Sequence, residues 1–238
     1  MTIRLGLALA LLVPVATLAQ PRTPVLVELF TSEGCSSCPQ ADAALAALSR
    51  TQEVKGAEVI PLELHVDYWN QLGWVDPFSA PEFTARQEAY AQVFGGDGLY
   101  TPQLVVDGAS SGVASAGGLR RLVERGATAP KAALEVKVAP ANPGVEVTVR
   151  APPGIAGRLS LALSEAELSS KVERGENAGR TLAHAPVARL LVEQGAISPE
   201  QKVRLGLSKA WRRDHLRVVA FVQDPHGRVV AVGTAPVP

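Results

Sequence analysis

Cysteine is scarce in this chain, with two among 238 residues. A chain of this length buries an adequate core without covalent staples, so a small disulfide-built scaffold is excluded and the two sulfurs need another explanation. Charge imbalance is lacking too: Lys and Arg number 23, Asp and Glu number 23, and the formal net charge is zero. That argues against a nucleic-acid-binding or anionic-membrane surface. No long run of like charge and no internal repeat is visible. Beyond residue 20 no apolar segment approaches the about 20 residues needed to span a bilayer, so no membrane span is expected in the mature chain.

The N-terminus is different. Arg4, the apolar stretch Leu5 to Val15 and the small-x-small site Thr17-Leu18-Ala19 before Gln20 have the pattern of a secretory signal. Residues 1–19 are expected to be removed. A membrane anchor is the alternative, but the run is short, and no cysteine follows the cleavage site for a lipid. The mature protein is thus expected in the periplasm or secreted, where disulfides persist.

Both cysteines lie in Glu33-Gly34-Cys35-Ser36-Ser37-Cys38-Pro39, between a strand-like run (Pro24 to Phe30) and a helix-like run (Pro39 to Arg50). The first run is apolar on both faces except for Glu28, the pattern of a central strand. Thiols at a helix N-terminus meet the positive end of its dipole, which lowers a thiol pKa from about 8.5 to roughly 3.5–7.5. Cys35, expected to remain exposed, would then attack, and Cys38, one turn on, would resolve the mixed disulfide. Glu28 could take and return the proton of Cys38, or merely reach solvent at a strand end. A static disulfide and a metal site are the competing readings of the pair.

Glu58 to Val66 reads as a second strand. Ser79-Ala80-Pro81-Glu82 has the form of a capping box, and the helix it opens carries Phe83, Tyr90 and Phe94 and stops at Gly95-Gly96. Gln103 to Val106 is a third strand, turned by Asp107-Gly108, and Leu119, Leu122 and Val123 mark a last helix ending at Gly126. This order implies an α/β layer with a mixed sheet. His65 and Asp67 close the second strand beside the Cys loop. They could contact substrate, His65 could be a third metal ligand, or both could be hydrogen-bonded loop residues. Trp69, Trp74, Phe78 and Phe83 are read as the core of an inserted cap, and His184, His215 and His226 receive no role. From Ala133 onward, short runs separated by Pro, Gly and Asn (Leu134 to Val138, Val145 to Val149, Leu159 to Leu163, Val203 to Leu207, Leu216 to Gln223, Val229 to Val232) predict a C-terminal β-sandwich-like domain. The boundary is expected near residue 130, separating 20–129 from 130–238.

Strand, C-x-x-C on a helix, strand, and Thr101-Pro102 opening a strand with a Gly turn together resemble the thioredoxin-like superfamily. The resemblance implies that Pro102 is a cis proline packed against the Cys pair and that Thr101 offers backbone groups to an incoming thiol or peptide. Three longer phrases, Val27 to Pro39, His65 to Trp69 and Gly175 to Arg180, are similar to the domain-of-unknown-function 1223 family of secreted bacterial proteins. Gly34 and the Ser36-Ser37 pair depart from ordinary thioredoxins, leaving open oxidant, reductant or isomerase. Asp67 to Gly98 looks like an insertion near the active face that could restrict access.

The function these features imply is an extracytoplasmic thiol–disulfide oxidoreductase acting without a cofactor on a protein or small-molecule thiol or disulfide. The alternatives are a redox-inactive binding or scaffold protein with a static disulfide, and a Cu(I)- or Zn-handling protein.

Overall fold

The computed structural model describes residues 22–96 and 98–238. The expected signal segment lies outside the described residues. The N-terminal half runs β1 (Thr23–Thr31), α1 (Cys38–Thr51), β2 (Ala57–His65), a short 3-10 turn (Asn70–Leu72), α2 (Pro81–Phe94), β3 (Gln103–Val106), β4 (Ser110–Val113) and α3 (Ala116–Thr128). β1 pairs parallel with β2 and antiparallel with β3, which pairs antiparallel with β4. This is the mixed α/β sheet of a thioredoxin-like fold.

The two-residue period of β1 explains the layering. Val25, Val27 and Leu29 face Leu45 and Leu48 of α1 and Leu119, Leu122 and Val123 of α3. Phe30 points the other way and packs with Phe83 and Tyr90 of α2. Burying one such side chain contributes about 1.5–3 kcal/mol, so both faces are strongly specified. In β2, Ala57 and Val59 join the α1 face, whereas Leu62 and Leu64 belong to the other. Glu63 and His65 therefore point toward α1, and Glu28 of β1 points toward α2.

One local expectation is corrected. The N-cap of α2 is Ala80 with no side-chain cap. Ser79 is drawn off instead, donating to the Asp76 carbonyl and accepting from Asn70 Nδ2. Pro81 opens the helix, where a missing N–H costs nothing. At the Asp107-Gly108 turn, Gly108 has φ +61 and a Cβ there would collide with the carbonyl oxygen of Gly227. The turn thus touches the last hairpin of the chain, and Val229 N–H donates to the Asp107 carbonyl at 2.8 Å.

The C-terminal half contributes β5 (Ala132–Ala133), β6 (Glu135–Pro140), β7 (Val145–Arg150), β8 (Arg158–Glu165), β9 (Ser169–Lys171), β10 (Thr181–Ala183), β11 (Val187–Ala196), β12 (Glu200–Leu205), β13 (Leu216–Gln223) and β14 (Val229–Pro236). β6, β7 and β12 form a three-stranded sheet. Its Val145, Val147, Val149, Val203 and Leu205 pack on Leu159, Leu161 and Leu163 of β8 and on Val218, Ala220 and Val222 of β13. The packing is sandwich-like, but one layer is not separate. Strands β11, β8, β13, β14 and β5 extend the thioredoxin-like sheet into a single nine-stranded one. The joint is β2 with β11, where Val187 pairs with Glu63 and Glu63 N–H donates to the Pro186 carbonyl at 2.9 Å. An open strand edge is a template for pairing, and β11 covers the edge of β2 at Glu63.

Candidate active site

Cys38 is the first residue of α1, and Cys35 lies in the turn leading to it. The two form a disulfide, with Cα atoms 5.5 Å apart. Cys35 N–H donates to the Ser32 carbonyl and Cys38 N–H to the Cys35 carbonyl, which winds the loop into the helix. Ser36 and Ser37 are exposed, but the sulfurs are not. Cys35 is 1% and Cys38 0% accessible, against the expectation of an exposed first cysteine.

The cover comes from the far half of the chain. In the connection between β9 and β10, Asn177 donates its amide to the carbonyls of Glu33 and Cys35, at 2.9 Å each. Glu176 next to it accepts from Ser36 N–H at 3.0 Å, and hydrogen bonding by the Ser36 side chain and then its N–H holds the exposed carboxyl below the usual range. The Gly175–Arg180 phrase, compositionally a polar loop, is thus clamped on the Cys turn. From the other side comes Trp69, whose Cβ would lie 3.3 Å from a Cβ placed on Gly34. Its indole N–H donates to Thr101 Oγ1 at 2.9 Å. The Thr101–Pro102 peptide is cis. Trp69 therefore ties the Cys turn to the segment opening β3.

Glu28 is not beside the sulfurs. Its carboxylate is engaged by Arg86 Nε and by Tyr90 OH, the latter at 2.6 Å, both from α2. Strand alternation puts the sheet between it and α1, which corrects its reading as a proton carrier for Cys38. A residue the sequence pattern did not single out is better placed. Asp42 stands four residues after Cys38, hence on the same face of α1, and is 3% accessible. Burial, reinforced by the nearby Glu63 carboxylate, pushes its carboxyl up to about 8 despite a 2.7 Å hydrogen bond donated by Thr31. Asp67 accepts from Thr84 Oγ1 on α2 at 2.6 Å, in keeping with its reading as a hydrogen-bonded loop residue, and does not join His65.

The carboxylate partner of His65 is Asp76, 2.7 Å from Nδ1. Burial alone would lower this imidazole, but Asp76 and Glu63 outweigh it and hold the ring well above its ordinary value. The same pairing, assisted by the Glu33 and Phe78 N–H groups, keeps the buried Asp76 below the usual carboxylate range. His184, assigned nothing from the sequence, arrives beside them on the segment entering β11, with Nε2 3.2 Å from Glu33 Oε1. Burial opposes its protonation, yet Glu33 and Glu63 raise it to about 9. Glu33 itself is a hub. Its carboxylate also accepts from Trp74 Nε1 at 2.7 Å and from Ser170, and its N–H donates to Asp76 at 2.8 Å. The aromatic insertion and the β9–β10 connection thus converge on the residue two positions before Cys35.

The family model described as a protein of unknown function (DUF1223) matches residues 26–223. The chain belongs to that family. Among solved structures, the crystal structure of protein AGR_C_4864 from Agrobacterium tumefaciens is 28% identical, with a TM-score of 0.68, covering 91% of this chain and 95% of the other. HBP35 of Porphyromonas gingivalis shares the fold at 14% identity and a TM-score of 0.65, covering 92% of this chain and 76% of the other. No curated protein matches the chain. The family and the fold agree with the resemblance drawn from the Cys motif, and the C-x-x-C disulfide makes the chain oxidoreductase-like.

Proposed function

We propose that the chain is an extracytoplasmic thiol–disulfide oxidoreductase whose reactive pair works beneath a cover. The observation that carries this is the Cys35–Cys38 disulfide at the start of α1, linked through Trp69 to the cis Thr101–Pro102 segment. In the reducing direction, the Cys35 thiolate attacks one sulfur of a partner disulfide. A mixed disulfide forms and one partner thiolate leaves. The Cys38 thiolate then attacks the Cys35 sulfur, which re-forms the internal disulfide and releases the second partner thiolate. Two electrons pass to the partner; the reverse sequence oxidises a partner dithiol. In this reading Asp42, one turn along α1, takes the proton of Cys38, while Thr101 and Pro102 line the docking groove. His65 acts from behind the Cys turn, and Asp67 steadies the insertion through Thr84 instead of meeting substrate.

The partner is a thiol or disulfide, and the cover suits a small-molecule thiol or a protein able to displace the Gly175–Arg180 connection. The signal-like segment and the paired cysteines favour a periplasmic or secreted location. No described helix is long and apolar enough to cross a membrane. The division into 20–129 and 130–238 belongs to this reading, supported by two hydrophobic clusters that draw almost wholly on one half each, although a third, with Leu26, Leu62, Ala162 and Phe221, spans both.

Burial of both sulfurs favours one competitor, a redox-inactive scaffold whose disulfide is static. The test is disulfide exchange with glutathione and a peptide disulfide. Cys35→Ser abolishes it, and Cys38→Ser accumulates the mixed disulfide on Cys35. Exchange no faster than that of the double Ser variant, with a potential below about −300 mV, assigns the scaffold role instead.

A further inference from the structure

Among the described residues, four buried side-chain polar atoms have no hydrogen-bond partner, and three of them point at one another. They are Glu63 Oε2, His65 Nε2 and His184 Nδ1, and the three residues bring one potential ligand atom each within 4.8 Å of the others. Buried polar groups are nearly always paired, so three orphans converging on one spot call for an explanation. We propose that Glu63, His65 and His184 bind one divalent transition-metal ion, of the zinc class, behind the disulfide.

The spacing supports a shared ion over direct contacts. Glu63 Oε2 lies 3.4 Å from His184 Nδ1 and 3.7 Å from His65 Nε2. Both gaps exceed the about 3.2 Å limit of a good N–H···O bond. They are close to the separation of two ligands on a tetrahedral zinc ion, about 3.3–3.4 Å when each sits about 2.0–2.1 Å from the metal. Two imidazoles and one carboxylate form a donor set suited to zinc, the ion replacing the proton that each ring otherwise turns toward Glu63 and releasing it to solvent, and three protein ligands leave a fourth position open.

The surroundings are arranged as metal sites require. A ligating imidazole commonly gives its second nitrogen to a carboxylate, which fixes the tautomer and aims the ring. Here His65 Nδ1 meets Asp76 at 2.7 Å, and His184 Nε2 meets Glu33 at 3.2 Å, leaving the opposite nitrogen of each ring facing Glu63. The other Glu63 oxygen is held by Ala185 N–H at 2.9 Å. Phe78 stands edge-on to both rings, with centroids 5.4 and 5.3 Å away, and closes the site with hydrocarbon. Position follows from topology: strand alternation sets Glu63 and His65 on one face of β2, and the β2–β11 joint delivers His184. This site differs from a thiolate site built on the Cys pair, since both sulfurs are consumed in the disulfide.

The test uses the oxidised full chain, stripped with chelator and titrated with Zn2+ by calorimetry and with Co2+ by visible absorption. One equivalent of each metal is expected, with a rise in the thermal midpoint and Co2+ bands of a low-symmetry nitrogen–oxygen site. The Cys35→Ser/Cys38→Ser variant should bind equally well. Asp76→Asn, which changes only a positioning residue, should weaken binding roughly 10–100-fold, and His184→Ala should cost more. A wild-type chain with no saturable zinc site overturns the proposal, whether or not the variants fold. Undiminished affinity in folded His184→Ala, or loss of the site in the double Ser variant, overturns it equally. None of these outcomes bears on disulfide exchange.

Discussion

Asn177 donates one side-chain amide to the carbonyl of Cys35, 2.9 Å away and 142 positions earlier in the chain. The same amide also reaches the Glu33 carbonyl. A reactive-loop turn is thereby stitched to a connection between two small strands of the opposite half. Opening that stitch is expected to give a reductant access to Cys35.

Asn177→Ala should therefore speed reduction of the disulfide. Losing two hydrogen bonds at about 1 kcal/mol each lowers the cost of opening by about 2 kcal/mol, or roughly 30-fold in rate. Stopped-flow reduction by dithiothreitol, with wild type as reference, checks this. An unchanged rate would mean that the connection does not control access.

Glu28→Gln should destabilise the fold and leave exchange kinetics alone. It strands Arg86, whose partner carboxylate is fully buried, and breaking such a pair costs about 3–5 kcal/mol. Urea unfolding and glutathione exchange on one sample separate the two effects. Slowed exchange at unchanged stability would restore Glu28 as a proton carrier.

Asp42 should leave a pH signature. Its folded pKa is raised to about 8 from 3.8, so the folded state resists its ionisation. The resulting stabilisation is complete below the unfolded value and is lost as pH rises toward about 8. Wild type should accordingly weaken relative to Asp42→Asn across that window, by at most about 1.4 kcal/mol per pH unit. Unfolding midpoints of both oxidised proteins with chelator present measure it, and parallel curves would show Asp42 to be ionised throughout.

Trp69→Phe removes the indole donor from Thr101 while keeping an aromatic body against Gly34. Binding of a peptide disulfide should weaken, with KM rising several-fold, and the chemical step should change less. A lower kcat at constant KM would place Trp69 in the chemistry instead of the groove.

The fold of the first half was legible because its signals are local. The two-faced apolar run at Val25 to Phe30, Pro39 after the Cys pair and the Asp107-Gly108 turn each act within a few residues. β11 was not legible, and its register shifts at Ala188/Leu190 and Glu193/Gly195 break the two-residue alternation that marks a strand. The site was half legible. Cys35, Cys38 and His65 stand in phrases with recognisable spacing, and Asp42 could have been found from its i+4 relation to Cys38. Asn177 stands in the Gly175–Arg180 phrase, but its contact with the Cys turn could not be read there, and His184 stands in no phrase at all; the partners of both lie more than 100 positions away and no periodicity links them. Glu28 misled because a lone carboxylate in an apolar strand indicates burial without indicating which side of the sheet buries it.

The shared nine-stranded sheet bears on how this protein can be cut. A fragment ending after α3 would keep every thioredoxin-like element yet lose β11 from the flank of β2. Main-chain groups there would stand bare, and Glu63 would forfeit the amide of Ala185. Such a piece invites self-association through its new border, so the N-terminal half and its β-rich companion need to be produced and handled as one molecule.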